Sequence, residues 1–252
     1  MLKEIKGVYF DFGYVIGYPI SNIDREYLYL DWNGVKSMIE DAQISQYLRS
    51  GVGLKELTAF FKKEIYEVFV RHENTDLIDP KSNTLLSEKL PLVFYCRINE
   101  QLINRILAYI NTMKYMEIYE NVPEVLESLK EKRLSISMIS NMMLPGKLLI
   151  EKLHENSILH YFDTITVSSD IGFIKPHKEI FLHTLKKDHL VASEVLFVGD
   201  TYSQDIIGAK NVGMKTVWLN CRNEIIQQSE AADYEIHKLE DLGKMLQCIL
   251  DY

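Results

Sequence analysis

Four short stretches of this sequence carry residues whose types and spacing could do chemistry. They are Asp11 after Gly7-Val8-Tyr9-Phe10, Ser140-Asn141 after Met138-Ile139, Lys175 within Gly172-Phe173-Ile174-Lys175-Pro176, and Asp200 with Asp205 in the run Gly199 to Asp205. Together they offer a nucleophilic carboxylate, hydroxyl and amide donors, a fixed cation, and carboxylates able to hold Mg²⁺. Those are the parts of phosphoryl transfer through an aspartyl intermediate, where a metal and a lysine stabilise negative charge as it moves. Hard oxygen ligands favour magnesium over zinc.

Taken singly, each stretch also has a plain structural use. Asp11 could be a turn former at a strand end, and Ser140-Asn141 an N-cap or turn pair. Lys175 could be a solvated lysine before a helix, and Asp205 could complement a helix amino terminus. The order and placement of all four together argue for one shared site, and that argument rests on the elements that hold them.

Gly7 to Phe10 is an apolar run without polar alternation, as in a buried parallel strand, and Gly13 permits a sharp turn just after Asp11. Leu134 to Ile139, Thr164 to Val167, Glu194 to Val198 and Lys215 to Leu219 read as further strands, with a weaker one near Tyr234 to Ile236. Helices are expected from about Val122 to Leu129, His177 to Lys187, Ser203 to Asn211 and Leu239 to Leu250. Strands separated by helices specify a parallel sheet, and ligands of such sheets bind at the carboxyl ends of the strands.

Between about Tyr18 and Glu117 the texture changes to helical segments with no series of strands. Leu54, Leu57, Phe60, Phe61, Ile65 and Phe69 recur at helical spacing after a Gly-rich break, and Leu102, Ile103, Ile106, Leu107 and Ile110 form an apolar face within Asn99 to Met113. Asn74 to Asn83 is polar, interrupted by Pro80, and reads as a surface loop.

Composition bounds the rest. The chain has 252 residues, 47% hydrophobic and 25% charged, enough for one large domain or two smaller ones. A formal charge of -8 argues against a nucleic acid or an anionic membrane as the main partner. The amino-terminal residues carry no secretory pattern, and no apolar run reaches spanning length. Cys96, Cys221 and Cys248 are scattered without metal-ligand spacing, as reduced thiols of a cytoplasmic protein would be. His154, His160 and His177 show no pairing with a nucleophile.

In this order and placement, the four stretches resemble the motifs of the haloacid dehalogenase-like (HAD) hydrolase superfamily. The resemblance implies an α/β fold with a Rossmann-like parallel core in residues 1–17 and 118–252. Residues 18–117 would then be an inserted helical C1 cap of the subfamily I type. It also implies a nucleophilic Asp11, catalytic and phosphate contacts from Ser140 and Lys175 with the adjoining Asn141, and Mg²⁺ held by Asp11, the Gly13 carbonyl, Asp200 and Asp205. The expected partner is a small phosphorylated substrate of a monomer or homodimer, with neither nucleic acid nor membrane involved.

One position departs from the pattern. Phosphatases of the superfamily usually carry a second Asp two residues after the nucleophile, and here Gly13 stands in its place. Glycine cannot transfer a proton, and such help is typically worth about 10²–10⁴-fold. Three readings follow. The first is a phosphatase whose proton comes from the substrate, water or a cap residue, with Tyr14 a candidate donor. The second is dehalogenase- or phosphonatase-like carbon-centre hydrolysis, for which Lys36, Lys55, Lys62 and Lys63 are available amines. The third is a catalytically weak protein that binds a ligand or partner. Tyr18, Tyr27 and Tyr29 are near enough to the start of the insert to meet a substrate.

Overall fold

The computed structural model describes residues 5–20, 30–96, 98–226 and 231–250, with side chains through residue 247. Tyr27, Tyr29 and the Cys248 side chain lie outside that set. The chain opens with β1 (Gly7–Phe10) and the short β2 (Gly17–Pro19). A helical insert follows, built on α1 (Trp32–Ser37), α2 (Leu54–Phe60), a π-helical segment (Phe61–Tyr66), α3 (Glu67–Glu73), α4 (Ser82–Lys89) and α5 (Glu100–Ile110). After β3 (Met116–Ile118) the elements alternate: α6 (Val122–Glu131), β4 (Ser135–Ser140), α7 (Lys147–Glu155), β5 (Thr164–Val167) and α8 (Lys178–Asp188). Then come β6 (Val195–Gly199), a π-helical turn (Tyr202–Ile206), α9 (Ile207–Asn211), β7 (Lys215–Leu219), β8 (Tyr234–Ile236) and α10 (Asp241–Leu250).

Six strands form one parallel sheet in the order β5-β4-β1-β6-β7-β8. The chain works outward from β1 through β4 to β5, then returns to the other side of β1 and continues through β6 to β8. The reversal lies between β1 and β6, and such a switch point opens a crevice at the carboxyl ends of the strands. Register brings those ends level: Phe10 lies opposite Met138 of β4 and Val198 of β6. Both faces of the sheet are covered. Val8, Phe10, Leu196 and Val198 belong to one hydrophobic cluster, while Tyr9, Val195 and Phe197 point into another with Ile180 and Phe181 of α8. This period of two in strands with both faces buried explains their unbroken apolar sequence. Phe197, fully buried, meets Phe181 edge to face at 5.4 Å, and a side chain of this kind contributes about 1.5–3 kcal/mol.

The insert differs from expectation in three places. It is entered and left through an antiparallel pair, with Gly17 opposite Ile118 and Pro19 opposite Met116. Three-residue strands are too short to show a period. The long helix after Gly53 is one rod with a π-helical middle, not a uniform α-helix. The expected surface loop within residues 74–83 is partly interior. Asp79 is only 3% exposed. Its N–H donates to the Gly172 carbonyl at 3.1 Å, and Ile174 N–H donates to the Leu77 carbonyl at 2.8 Å. Polar backbone there is satisfied by the segment leading to Lys175, so the loop needs no solvent.

Other contacts close the insert on itself. Asp31 caps α1 through Asn33 N–H at 3.0 Å and also accepts from the Tyr115 hydroxyl at 2.8 Å, joining the first described turn of the insert to its last. Arg105 grips Asp41 with two hydrogen bonds, at 2.6 and 3.0 Å. The insert's buried residues, among them Phe61, Phe69 and Ile106, share a single cluster with Val8 and Phe10 of the sheet.

At one crossing the two helix backbones nearly touch: a Cβ at Gly34 of α1 would lie 1.7 Å from the Tyr109 carbonyl oxygen of α5. Gly34→Ala must therefore push α1 off α5. We expect a loss of about 1–3 kcal/mol or more, the usual cost of overpacking, read as a lower urea midpoint with an unchanged slope.

Candidate active site

Asp11 sits one residue beyond β1, its N–H bonded to the Val198 carbonyl of β6 at 3.0 Å. The chain then folds tightly back: Ile16 and Gly17 both donate to the Phe12 carbonyl, each at 2.9 Å. Tyr14 takes a left-handed conformation, φ 55°, in that turn. A Cβ at Gly13 would meet only Asp11 Oδ2, at 3.8 Å, so a side chain has room there.

Lys175 arrives from the loop that pairs with the insert and is 1% exposed. Its Nζ donates to Asp11 Oδ1 at 2.7 Å and to Asp205 Oδ1 at 2.6 Å. Each partner is itself held. Asp205 Oδ2 accepts from Thr201 N–H at 2.9 Å, and Gly199 leaves the space its side chain fills, since a Cβ there would lie 2.3 Å from Asp205 Cβ. The Lys175 backbone is clamped by Asn141, whose Oδ1 accepts from Lys175 N–H at 2.8 Å and whose Nδ2 donates to the Lys175 carbonyl at 3.2 Å. Asn141 also donates to Gln204 Oε1 at 3.2 Å. Asp200 has partners of its own: Arg222 donates to its Oδ2 at 2.7 Å, and its carbonyl accepts from the Trp218 indole at 3.0 Å.

One oxygen from each of Asp11, Asp200 and Asp205 lies within 4.8 Å of the others. Three carboxylates face two cations, Lys175 and Arg222, and Arg222 is also shared with Glu224, so the cluster carries surplus negative charge. Burial pushes the Asp11 carboxyl up to about 7; Lys175 opposes the shift, and Asp205 and Asp200 add to it. Burial likewise pushes Asp200 up to about 6, with Asp205 adding repulsion and Arg222 relieving part of it. Lys175 loses by burial, but attraction from Asp11 and Asp205 more than offsets this and holds the ammonium above its ordinary value. An all-oxygen donor set with surplus negative charge fits Mg²⁺.

A cavity of about 260 Å³ opens over this cluster, with Asp11, Ser140, Asn141, Lys175, Thr201 and Gln204 on its floor. The structure therefore brings Asp11, Ser140, Asn141 and Lys175 to one cavity. Gly13 lines it as well, and Asp200 and Asp205 lie beneath it. The Asn141 side chain is spent on the Lys175 loop and Gln204. Tyr14 lines the cavity, with the Arg222 guanidinium 5.2 Å from its ring centroid. Tyr18 does not reach it: its hydroxyl donates to Glu117 at 2.8 Å and its ring packs on Tyr119. Lys36, Lys55, Lys62 and Lys63 are exposed, and among the described residues Lys175 is the only lysine lining the cavity. His177 caps α8, His154 lies on α7, and His160 lies in the short turn after it.

Sequence reasoning missed Arg222, Gln204 and Glu73. Gln204 lies inside a stretch already singled out. Arg222 follows β7 in a loop with no periodic signal, and Glu73 ends a helix of the insert.

The raised carboxyl carries a pH signature. A group whose pKa rises on folding holds its proton more tightly in the folded chain, so its contribution to stability is lost as pH climbs. For Asp11 that window runs from its ordinary value of 3.8 to about 7. Asn at this position does not titrate, so in metal-free protein the stability of Asp11→Asn relative to wild type should grow between about pH 4 and 7. Denaturation at a series of pH values checks this; a constant difference would mean that folding leaves the proton affinity of Asp11 unaltered.

Comparison with known proteins bears on the whole arrangement. The family model described as haloacid dehalogenase-like hydrolase matches residues 49–219, which include Ser140, Lys175, Asp200 and Asp205. The glyceraldehyde 3-phosphate phosphatase of Pyrococcus abyssi is 38% identical over 146 residues, 56% of this chain and 60% of that protein. The pyrimidine 5'-nucleotidase YjjG of Escherichia coli is 33% identical over 96 residues, 38% of this chain and 43% of that protein. The chain thus spans about half the length of the curated relatives it matches. Among solved structures, a HAD phosphatase from Thermococcus onnurineus superimposes with a TM-score of 0.62 at 26% identity, covering 96% of this chain and 98% of that one. With the parallel α/β core and its carboxylate-lysine cluster in place, the chain belongs to the haloacid dehalogenase-like hydrolases.

Proposed function

We propose that this protein is a Mg²⁺-dependent phosphatase acting on a small phosphorylated metabolite through an aspartyl-phosphate on Asp11. The observation that carries the reading is the Lys175 ammonium shared between Asp11 and Asp205 at the sheet's switch point, on the floor of the cavity. The similarity to a protein named as a glyceraldehyde 3-phosphate phosphatase and to a structure named as a HAD phosphatase supports the reaction class. Charge of -8 supports partners other than nucleic acid or an anionic membrane, and free Cys96 and Cys221 suit a cytoplasmic protein, which we take to be a monomer or homodimer; among the described residues no helix is long and apolar enough to cross a membrane.

In this reading an Asp11 carboxylate oxygen attacks phosphorus, the bond to the leaving oxygen breaks, and that oxygen takes a proton. A water then attacks the phosphorus of the acyl phosphate, frees inorganic phosphate and restores Asp11. Lys175 orients the nucleophile and balances charge on the phosphoryl oxygens, while Ser140 and the Asn141-held loop position the group. Asp11, the Gly13 carbonyl, Asp200 and Asp205 would hold Mg²⁺, which supplies positive charge against the transferring phosphoryl group. Gly13 has no proton to give, so the leaving oxygen draws on water or the substrate. Residues 18–117 act as the cap over residues 1–17 and 118–252, shielding the reaction from water. A phosphonatase reading needs a second amine at the cavity, and none of the four candidate lysines lines it.

Hydrolysis of an activated aryl phosphate should require Mg²⁺, stop with chelator, and fall about 10³-fold or more in Asp11→Asn. Turnover by a folded Asp11→Asn protein would rule out the covalent route. Because position 13 has room for a side chain, Gly13→Asp should raise turnover of alkyl phosphates by about 10²-fold and of aryl phosphates much less. Equal gains on both would show that proton transfer to the leaving group does not limit the wild type.

A further inference from the structure

Arg222 stands in a turn that the sequence builds for it. β7 ends at Leu219, and the Asn220 side chain closes the segment that follows: its Oδ1 accepts from Glu224 N–H at 2.7 Å and its Nδ2 donates to the Glu224 carbonyl at 3.0 Å. Asn223 takes a left-handed conformation in that turn, φ 52°, which asparagine tolerates better than most residues. None of these bonds uses the Arg222 side chain, so the turn is held without it. The guanidinium serves two carboxylates, donating from Nη1 to Asp200 Oδ2 at 2.7 Å and from Nε to Glu224 Oε1 at 2.8 Å. It also lies 5.2 Å from the ring centroid of Tyr14, the residue after Gly13. Two of the groups assigned to Mg²⁺, Asp200 and the Gly13 carbonyl, therefore adjoin one arginine.

Asp200 has anchors besides Arg222. Its carbonyl accepts from the buried Trp218 indole at 3.0 Å, and its Oδ1 accepts from the Thr201 hydroxyl at 3.3 Å. Its side chain is 4% exposed against 41% for Arg222, so the carboxylate is fixed and the arginine is the partner with room to shift. Mg²⁺ sits about 2.0–2.1 Å from its oxygen ligands, which puts an ion on either Asp200 oxygen within about 7 Å of Arg222 Nη1. Repulsion between a univalent and a divalent cation at that distance is appreciable even at the dielectric of water. Taking the Mg²⁺ site of the proposed function as given, we infer that Arg222 is a positioning residue that competes with Mg²⁺ for Asp200 and holds the affinity for the metal down. Glu224 moderates the competition by taking a share of the guanidinium, so the two residues act on the metal in opposite directions.

Calorimetric titration of the full chain with Mg²⁺ alone, at pH 8 and low ionic strength, tests this without turnover. Arg222→Gln should tighten the Mg²⁺ Kd about fivefold or more, the effect of removing one positive charge at that distance. Arg222→Lys keeps the charge but not the planar fork and should stay within about twofold of wild type. Glu224→Gln should move Kd the other way, toward weaker binding, and it leaves the backbone bonds of the turn intact. A purely structural role for Arg222 would give weaker binding on its loss, not tighter. Unchanged or weaker binding in Arg222→Gln, tightening in Arg222→Lys equal to that in Arg222→Gln, or tighter binding in Glu224→Gln would overturn the inference and leave the Mg²⁺ site standing. No Mg²⁺ binding by wild type or by any variant would overturn the metal site itself, and the inference with it.

Discussion

The arrangement depends on one buried ammonium. Lys175 is almost wholly removed from water, and an unpaired ammonium in that place would cost several kcal/mol. Its two short bonds, to Asp11 and Asp205, are what make its position tolerable, and they tie the loop carrying Lys175 to the ends of β1 and β6. Everything nearby serves that geometry. Asn141 holds the lysine's own backbone, Thr201 holds the far oxygen of Asp205, and Gly199 yields the space that Asp205 occupies. Such a pair contributes little net stability compared with apolar packing, but breaking it leaves a charge stranded.

The same loop links the sheet to the insert. Leu77 and Asp79 exchange backbone hydrogen bonds with Gly172 and Ile174, immediately before Lys175. The insert is thus anchored at the neck by β2 and β3, and again beside the lysine. Its apolar residues share a cluster with the sheet face, so a shift of the insert would disturb the walls of the cavity as well as its roof. Gln204 reaches toward Glu73 of α3 from below while accepting from Asn141, which puts floor and wall in one chain of contacts.

Charge is deliberately unbalanced at the floor. Burial raises the proton affinity of Asp11 and Asp200, and repulsion within the carboxylate cluster adds to it while Lys175 and Arg222 relieve part of it. A divalent cation or a proton must settle the difference. The insertion of glycine rather than a second carboxylate at position 13 keeps a fourth negative charge away from the nucleophile. It also leaves a space beside Asp11 that a substrate or water can enter.

Residue types and their order were legible in the sequence. Short apolar or β-rich runs marked the buried parallel strands, and polar or charged groups after β1, β4 and β6 and in the loop beyond β5 marked the edge where Asp11, Ser140, Lys175, Asp200 and Asp205 would meet. The strand boundaries came within about a residue, because burial on both faces leaves no ambiguity about where apolar sequence stops. The two neck strands were invisible at three residues each, and the interior placement of Asp79 contradicts the polarity of its neighbours. The π-helical segment of the insert was also hidden, since the apolar spacing that marks an α-helix survives one extra residue per turn.

What the sequence by itself determined, then, is the sheet and the set of reactive groups at its edge, since both follow from local periodicity and from the topology that alternating elements enforce. Only the tertiary structure decided which groups touch. Arg222 reaches Asp200 from a loop after β7, Glu73 reaches the cavity from the insert, and four methionines from two distant segments form one wall. None of these residues has a local pattern that points to the others. They meet because the sheet reverses between β1 and β6 and the insert folds back over that gap, and contact across such a distance is a property of packing, not of any stretch of chain.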